Sequence, residues 1–291
     1  MFTKKIIAFD IGKTKILAAV LKMERDNYEF FDLVESKNPR NSKKIEKIIL
    51  DYAHAAQKKY KTKKVAISAA HLVNNEKKIV SQGKVCYGAD TFSFSFLEQA
   101  GFSVKIENDG RCFALGEYHF GKGRNADSLL ALNLGTEIGG GFVIDGKNWR
   151  GAHNSALEVS NMGANYSGKW KGWGGICAGK GIENIYRQKN GKKISTKEVF
   201  LEAGRGDKIA KEAISEAVHN LGMGVASLIN ILDPERIVFG GSLAKQRKYI
   251  DEAVKIAKKN VFNRKANYKF SISTLGNKAN LLGAARYYFE K

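Results

Sequence analysis

"IIAFDIGKTKILAAVL", residues 6–21, consists of two apolar runs joined by a short polar segment, residues 10–15. The apolar runs predict two strands, and the polar segment predicts a tight hairpin turn between them. Gly12 lets the backbone approach a ligand closely, Thr14 offers a hydroxyl, and Asp10 ends the first strand. The segment is therefore either a plain surface turn or a seat for phosphate groups, and taken alone it favours the surface turn.

The tripeptide at residues 12–14 does not form a Walker A loop. That motif needs a glycine at position 7, where Ile7 stands, and it leads into a helix rather than a strand. What remains is a hairpin turn in which Lys13 and Lys15 offer positive charge to an anion. The Asp10 carboxylate is of the type that holds the water shell of a Mg²⁺ ion.

A second segment, "LLALNLGTEIGGGFVIDG", residues 129–146, repeats the outline of the first as strand, Gly/Thr turn and strand. Asn133 stands where Asp10 stood, and Gly135 and Thr136 lie in the turn. Four glycines within residues 135–141 indicate close backbone approach, and a ring of backbone N–H groups suits phosphate. The repeat predicts two hairpins that close on one ligand from both sides.

The pentapeptide "IENDG", residues 106–110, lies between a predicted strand and a predicted helix. Asn108 or Asp109 could serve only as the N-cap of that helix, since both residue types are preferred there. In the functional interpretation, Asp109 is a general base that takes the proton from a hydroxyl attacking a phosphoryl group.

Other segments set the fold class. Alternation over 28–36 predicts a strand, and helical periodicity predicts helices over about 42–59 and 207–232. The second of these helices contains Gly222 and Gly224, which indicate close packing against a neighbouring element. Helices alternate with strands along the chain, which is typical of an α/β protein.

Composition narrows the partners and the compartment. The 291 residues carry a net charge of +20, but the lysines are scattered and no nucleic-acid motif occurs. We interpret the charge as a solvated surface that attracts anionic substrates, with no specific nucleic acid as partner. Three widely spaced cysteines indicate free thiols in a reducing compartment. Without a signal-peptide pattern or an apolar stretch of about 18 residues, we expect a cytoplasmic protein with no membrane partner.

These segments together resemble the ROK family of sugar kinases. The family motif D-[IL]-G-G-T-[KN] appears as "DIGKTK", E-N-D-A-N as "ENDGR", G-T-G-[IV]-G-G-G as "GTEIGGG", and D-P-[ED]-x-I-V-x-G-G as "DPERIVFGG". The four motifs keep the family order over nearly the whole chain. One branch of the family carries an N-terminal DNA-binding helix pair, which we expect to be absent because the first strand begins at residue 5.

The resemblance implies a duplicated ribonuclease H-like fold, the actin-like ATPase fold, with two α/β domains around a central cleft. We place the smaller domain at residues 1–112 plus about 278–291 and the larger at 113–277. The implied activity is ATP-dependent phosphorylation of a hexose or amino sugar, with ATP and Mg²⁺ bound. A homodimer is also implied, since the family often forms dimers.

The resemblance assigns roles to single residues. Asp109 matches the catalytic base, and Asn108, Glu158 and Asn161 fall at sugar-binding positions. The positions implied for phosphates, nucleotide and the water-mediated Mg²⁺ contact are Asp10, Gly12, Lys13, Thr14, Lys15, Gly135, Thr136, Gly240 and Gly241.

The sequence also departs from the family pattern. Asn161 stands where a zinc-ligating histidine is common, and Cys177 alone cannot replace the family's cysteine cluster, so we predict no zinc. Gly174 takes the place of a sugar-binding glutamate found in zinc-free relatives. Glu137 and Lys13 replace glycines in the two turns. Glu137 would repel phosphate unless it points away, and Lys13 could offset it.

These departures leave an alternative open: a catalytically impaired, kinase-like protein that binds sugar or nucleotide without transferring phosphate. The intact pair Asn108–Asp109 and the presence of Glu158 favour the kinase.

Overall fold

The computed structural model describes residues 4–24 and 27–290. The chain forms two compact units. Unit 1 runs up to Asp127 and adds Gly141–Ala156 and the segment from Ser273 onwards, whereas unit 2 comprises Ser128–Gly140 and Leu157–Ile272. The sequence-based division at residue 112 falls inside a helix, Asp109–Phe120, and the domain boundaries proposed from the sequence stay a prediction.

The strands, in chain order and within the described residues, are β1 (Lys4–Ile11), β2 (Lys15–Glu24), β3 (Asn27–Lys37), β4 (Lys64–Ala69), β5 (Leu72–Asn74), β6 (Ile79–Ser81), β7 (Thr91–Ser93), β8 (Ser103–Asn108), β9 (Ser128–Leu134), β10 (Ile138–Ile144), β11 (Lys147–Asn148), β12 (Gly163–Tyr166), β13 (Lys169–Gly172), β14 (Arg236–Gly240) and β15 (Lys269–Ile272). The α-helices are α1 (Ser42–Tyr60), α2 (Lys84–Tyr87), α3 (Ser95–Gln99), α4 (Asp109–Phe120), α5 (Gly174–Cys177), α6 (Gly179–Asn190), α7 (Thr196–Gly204), α8 (Lys208–Leu232), α9 (Arg247–Asn260) and α10 (Lys278–Tyr288).

Unit 1 is built on a five-stranded sheet of order β3-β2-β1-β4-β8. The first three strands of the chain pair antiparallel, and β1, β4 and β8 run parallel. β1 and β2 are apolar on both faces because helices cover both: α1 packs on one face, and α4 and α10 pack on the other. The core of the unit therefore has two layers, one on each side of the sheet.

The parallel register brings three strand ends to one edge of this sheet. Ile11 of β1 pairs with Ala69 of β4, and Ala69 pairs with Asn108 of β8. The turns that follow these strands therefore emerge side by side, at the edge where open α/β sheets bind their ligands.

The second five-stranded sheet has the order β11-β10-β9-β14-β15, which is the order of the first sheet with equivalent connections. β9, β14 and β15 run parallel, as β1, β4 and β8 do. The repeat predicted from the two Gly/Thr hairpins is confirmed at the level of the whole sheet.

Most elements predicted from periodicity are present. The helices expected at 42–59 and 207–232 are α1 and α8, and the strand at 28–36 is β3. Gly222 and Gly224 do mark close packing, because a Cβ on them would overlap Ile256 and Trp173, respectively. Within residues 4–24 and 27–290, no helix combines the length and apolar character needed to cross a bilayer.

The closest helix packing in unit 1 is between α4 and α10. A Cβ on Gly283 would overlap the carbonyl oxygen of Cys112, and one on Gly116 would overlap that of Ala279. The two helices therefore pack backbone to backbone, and this fixes α10 against the sheet.

We predict that Gly283→Ala lowers the free energy of unfolding by about 1–3 kcal/mol, because the added methyl group overpacks this contact. Urea denaturation followed by circular dichroism measures the change. Gly204→Ala is the matched control: its Cβ would meet no atom within 4 Å, so it should be neutral or slightly stabilising. Equal stability of the two variants would contradict the packing argument.

Candidate active site

The end of β1 carries a buried polar network. Asp10 pairs in register with Ser68 of β4, which is fully buried. The Oδ1 atom of Asp10 accepts hydrogen bonds from Ser68 Oγ at 2.6 Å and from Asn280 Nδ2, on α10, at 3.0 Å. Helix α10 thus supplies a donor to a carboxylate that lies 270 residues earlier in the chain.

The electrostatics of Asp10 reflect this position. Burial raises the pKa of its carboxyl group, and the hydrogen bonds from Ser68 and Asn280 together with the charge of Lys15 reduce the rise. Because these donors stabilise the charged form, the network is arranged for a carboxylate rather than for a neutral acid.

The first Gly/Thr turn is closed by backbone bonds and held by the segment after β3. Gly12 N donates to Lys15 O at 3.0 Å. Asn38 Nδ2 donates to Gly12 O at 2.7 Å, and Arg40 Nε donates to Lys13 O at 3.1 Å. With these carbonyl oxygens occupied, the exposed side of the turn presents the side chains of Lys13 and Thr14.

Lys15 has a partner that the sequence did not indicate. Its ammonium group forms an ion pair with Glu35 of β3 at 3.0 Å. Exposed pairs of this kind contribute only about 0–1 kcal/mol, so the pair does not fix Lys15 strongly.

The segment "ENDGR" spans the end of β8 and the start of α4. Asn108 is the N-cap: its Oδ1 accepts from Arg111 N at 3.2 Å, and its Nδ2 donates to the carbonyl oxygen of His71 at 3.1 Å. Asp109 is the first residue of α4, is half-buried, and accepts from Gly110 N at 2.9 Å. The two interpretations from the sequence are compatible, because Asn108 caps the helix and leaves Asp109 at its N-terminus.

Glu107, which precedes this pair, is the centre of a buried charge cluster. Its Oε1 accepts from Arg111 Nε at 2.8 Å and its Oε2 from Arg150 Nε at 2.7 Å. Glu107 and Arg111 are 2% and 1% exposed, so both charges are removed from water. Arg111 also donates to Asn154 O, and Arg150 lies over the ring of Tyr287 at 4.5 Å. This cluster holds the turn that carries Asp109.

In unit 2, the structure brings the second Gly/Thr turn beside the late glycine pair. Gly240 pairs in register with Asn133, and the turn at Gly135 follows directly after β9. Gly241 has φ +84°, and a Cβ there would overlap Leu134 O, so glycine is required. Residues that are about a hundred positions apart thus meet at one sheet edge, as the nucleotide assignment requires.

The Glu137 side chain is turned toward the segment after β11. Its Oε2 accepts from Ser160 Oγ at 3.2 Å, and its Oε1 lies 3.7 Å from the ammonium group of Lys180. Lys180 is thus a nearby cation for Glu137 within unit 2. A Cβ on Gly174 would overlap Ser160 Oγ, so Ser160 fills the space that a side chain at position 174 would need.

Glu137, Ser160 and Lys180 line a cavity of about 460 Å³ that lies within unit 2. Asn161 lines the same cavity, in the 3₁₀ turn Val159–Asn161 that begins after Glu158. Glu158 and Asn161 are both exposed. Two of the three sugar positions implied by the resemblance thus stand on one short turn.

Within residues 4–24 and 27–290, no group of three or more His, Cys, Asp or Glu side chains could hold a metal ion. Cys177 is buried, and its thiol donates to Trp173 O at 3.2 Å. The absence of zinc stays a prediction.

Sequence reasoning missed the partners that hold the site: Ser68, His71, Arg111, Arg150 and Asn280. Ser68 and Asn280 leave a weak signal, since each is a polar residue in an otherwise apolar segment. A buried polar side chain needs a hydrogen-bond partner, and that requirement identifies such residues as candidates.

A duplicated five-stranded sheet, with a half-buried aspartate near the end of one repeat's first strand and glycine turns in both repeats, defines a protein of the actin-like ATPase class. Residues 6–290 match the ROK family model, and the chain belongs to the ROK family. The predicted family and fold are confirmed.

Relatives cover most of the chain. An N-acetyl-D-glucosamine kinase of Mannheimia succiniciproducens is 29% identical over 82% of this chain and 84% of its own length. An N-acetyl-D-glucosamine kinase of Histophilus somni is 30% identical over 81% and 83%. The crystal structure of a ROK hexokinase from Thermus thermophilus, 24% identical, superimposes with a TM-score of 0.83 over 97% of both chains, which shows the shared fold.

We predict that Glu107→Met lowers the free energy of unfolding by about 3–5 kcal/mol, because it leaves the buried Arg111 without its carboxylate. Glu252→Met, which breaks an exposed pair with Lys255, is the control and should cost no more than about 1 kcal/mol. The double variant Glu107→Met/Arg111→Met should be more stable than Glu107→Met alone. Equal losses for the two single variants in urea denaturation would contradict the buried cluster.

A second prediction concerns Asp10 and pH. The pKa of Asp10 in the folded state lies above its ordinary value of 3.8. The protein therefore loses stability as the pH rises from the ordinary pKa through the folded-state pKa. Asp10→Asn keeps the oxygen that accepts from Ser68 and Asn280 but does not titrate. Its free energy of unfolding should exceed that of the wild type at pH 7, and the difference should shrink toward pH 3. Urea denaturation at both pH values checks this; a variant less stable at pH 7 would contradict the sign.

Proposed function

We propose that this protein is an ATP-dependent sugar kinase that phosphorylates a hexose or an N-acetylhexosamine. The observation that carries the proposal is the position of Asp109, half-buried at the end of β8 on the sheet edge where β1 and β4 also end. The relatives named above are kinases of N-acetyl-D-glucosamine. Nothing in the comparisons supports the alternative of a binding protein without transferase activity.

Asp109 serves as the general base. The N-terminus of α4 stabilises a negative charge on it, which keeps the carboxylate available as a proton acceptor. It accepts the proton of the sugar hydroxyl as that oxygen attacks the terminal phosphorus of ATP, and the bond to the bridging oxygen of ADP breaks. Glu107, with its two arginine partners, holds Asp109 in place through the turn.

Asp10 fits a hydrated Mg²⁺ ion. Mg²⁺ keeps several water ligands and binds proteins through one or two carboxylates together with substrate phosphates, and Asp10 supplies one carboxylate. When bound, the ion neutralises the charge that develops on the phosphate oxygens. The hydrogen bonds from Ser68 and Asn280 to Oδ1 favour the charged form of Asp10 and hold its side chain.

The two Gly/Thr turns contact the phosphates. In unit 1, Gly12 allows a phosphate to approach the turn closely, and Thr14 offers a hydroxyl. Lys13 and Lys15 add positive charge. The ion pair with Glu35 is weak enough for Lys15 to exchange it for a phosphate contact.

In unit 2, the same task falls to Gly135 and Thr136, while Gly240 and Gly241 accept the adenosine. The cavity side of the second turn carries Glu137, which is engaged by Ser160 and Lys180. This engagement reduces the repulsion that a free carboxylate would exert on phosphate.

The sugar is bound through Asn108, Glu158 and Asn161. Carboxylate and amide groups suit a polyol, because they accept and donate hydrogen bonds to neighbouring hydroxyls. We further propose that the protein is a cytoplasmic homodimer and binds no zinc. Its net charge of +20 provides a surface that attracts anionic substrates and is not a site for nucleic acid.

We predict that Asp109→Asn lowers kcat for sugar-dependent ADP release by about 10²–10⁴-fold, because the amide cannot accept the hydroxyl proton. A coupled ADP assay with a panel of hexoses and N-acetylhexosamines measures this. The far-ultraviolet spectrum and the melting temperature should stay close to those of the wild type.

The control for this variant is Asp51→Asn, an equally conservative change at an exposed residue of α1 that forms an ion pair with Lys47 at 2.9 Å. It should retain full turnover. Unchanged turnover in Asp109→Asn would contradict the role of Asp109.

A further inference from the structure

His71 follows β4 directly and takes a backbone conformation that is uncommon for a residue with a side chain. Its φ is +80°, in the left-handed region. Such a conformation costs on the order of 1–3 kcal/mol and persists only where the surroundings hold it. Here Asn108 Nδ2 donates to the carbonyl oxygen of His71 at 3.1 Å. The N-cap of the helix that begins with Asp109 therefore also holds the peptide of His71.

The imidazole ring has a defined partner on one side. Its Nε2 lies 3.2 Å from the sulfur of Cys86, which is 2% exposed. Burial raises the pKa of the Cys86 thiol to about 11, so the sulfur carries its proton at neutral pH. Burial and the charge of Lys13 lower the pKa of His71, so the ring is neutral.

These two states favour one of the two tautomers. A thiol sulfur accepts hydrogen bonds only weakly, whereas an unprotonated imidazole nitrogen is a good acceptor, so the contact favours donation from the Cys86 thiol to an Nε2 that carries no proton. The single ring proton is then on Nδ1, which becomes a hydrogen-bond donor. Among the described residues, the contact with Cys86 is the one hydrogen bond of this ring, and the side chain is only half-buried.

The surroundings of the ring are those of the candidate active site. The charge of Asp109 contributes to the raised pKa of Cys86, and the charges of Lys13 and Arg40 oppose it. His71 therefore lies within unit 1, close to Asp109, the base assigned to the sugar hydroxyl. The cations Lys13 and Arg40 are near it as well.

We propose that the Nδ1–H group of His71 donates a hydrogen bond to an oxygen atom of the acceptor sugar and so contributes to the choice of sugar. This inference rests on the proposed function, because it takes the sugar as the ligand at this edge of unit 1. The recipient is a hydroxyl or carbonyl oxygen, and Cys86 acts as a positioning residue that keeps Nδ1 protonated. A packing role alone would need the ring but not its N–H group.

Two substitutions separate the donor from the ring. Glycine accepts φ +80° without strain, so His71→Gly removes the side chain and relaxes the backbone. Asparagine tolerates the left-handed region, and its Nδ2 occupies about the place of Nδ1, so His71→Asn keeps an N–H donor. Asn125→Gly, at an exposed loop residue with φ +61°, is the control for relaxing the backbone elsewhere.

The experiment measures kcat and KM for glucose, N-acetylglucosamine and ATP by ADP release. His71→Gly should raise the KM for the preferred sugar by about tenfold or more, as expected for the loss of one buried hydrogen bond, and leave the KM for ATP unchanged. His71→Asn should recover most of this loss, and Asn125→Gly should stay within about threefold of the wild type. Unchanged sugar KM in His71→Gly, or an equal rise in both His71 variants, would overturn the proposal. A larger rise for the N-acetyl sugar than for glucose identifies the carbonyl as the recipient.

A second measurement does not depend on turnover. The chain has five histidines, so long-range ¹H–¹⁵N spectra of ¹⁵N-histidine protein are sparse, and the signals missing in His71→Asn identify His71. We expect the Nδ1–H tautomer and a shift of the Nδ1 resonance on saturation with the sugar. An Nε2–H tautomer, or no shift with any sugar that binds, would overturn the proposal. Failure of the wild type to release ADP with any sugar would instead overturn the proposed function.

Discussion

One row of register across the parallel strands of unit 1 carries three polar side chains, and the site depends on it. Asp10 pairs with Ser68, and Ser68 pairs with Glu107. Ser68 and Glu107 are buried and Asp10 is half-buried. Withdrawing two carboxylates of one row from water is unfavourable unless each has partners. Asn280 of α10 donates to Asp10, and Arg111 of α4 donates to Glu107. The two helices that cover this face of the sheet therefore also supply its donors.

This arrangement explains why α4 and α10 pack so closely. Glycines at their contact allow the two backbones to approach closely. In this packing, Asn280 lies within hydrogen-bond distance of Asp10, and Arg111 lies within hydrogen-bond distance of Glu107. The next residue of each strand is the last one and is still buried. Asp109 and His71 lie beyond the ends of β8 and β4, at the edge of the sheet, where Asn108 donates to the carbonyl oxygen of His71.

The duplicated fold divides its chemistry unequally. Both five-stranded sheets have equivalent strand orders and a Gly/Thr turn after their first strand in the chain. In unit 2, however, the row equivalent to that of Asp10 carries Asn133 beside Gly240, with no carboxylate. Unit 1 thus holds the ionised groups, whereas the turn and the glycine pair of unit 2 offer mainly backbone. The same scaffold serves two purposes because its strand-end residues differ between the two sheets.

The sequence was sufficient to predict α1, α8, β3, the repeat and its two strand ends, because these follow from periodicity and from glycine positions. It did not indicate the short strands β5–β7 and β12–β13. It was insufficient for the residues that hold the site. Asn280 and Asp10 are 270 positions apart, and only the packing of α10 brings them together. The Lys15–Glu35 pair and the Glu137–Ser160 bond likewise depend on which direction a side chain takes from its turn. Motif spacing carries no information about those directions.

The central claim, that the chain transfers phosphate from ATP to a sugar, is tested most directly by ³¹P nuclear magnetic resonance of the wild-type protein. The protein is incubated with ATP, Mg²⁺ and one hexose or N-acetylhexosamine at a time. The account predicts that, with at least one sugar, a phosphomonoester resonance grows in step with the ADP signals. ATP that stays intact with every sugar, or that yields only inorganic phosphate, would contradict the account.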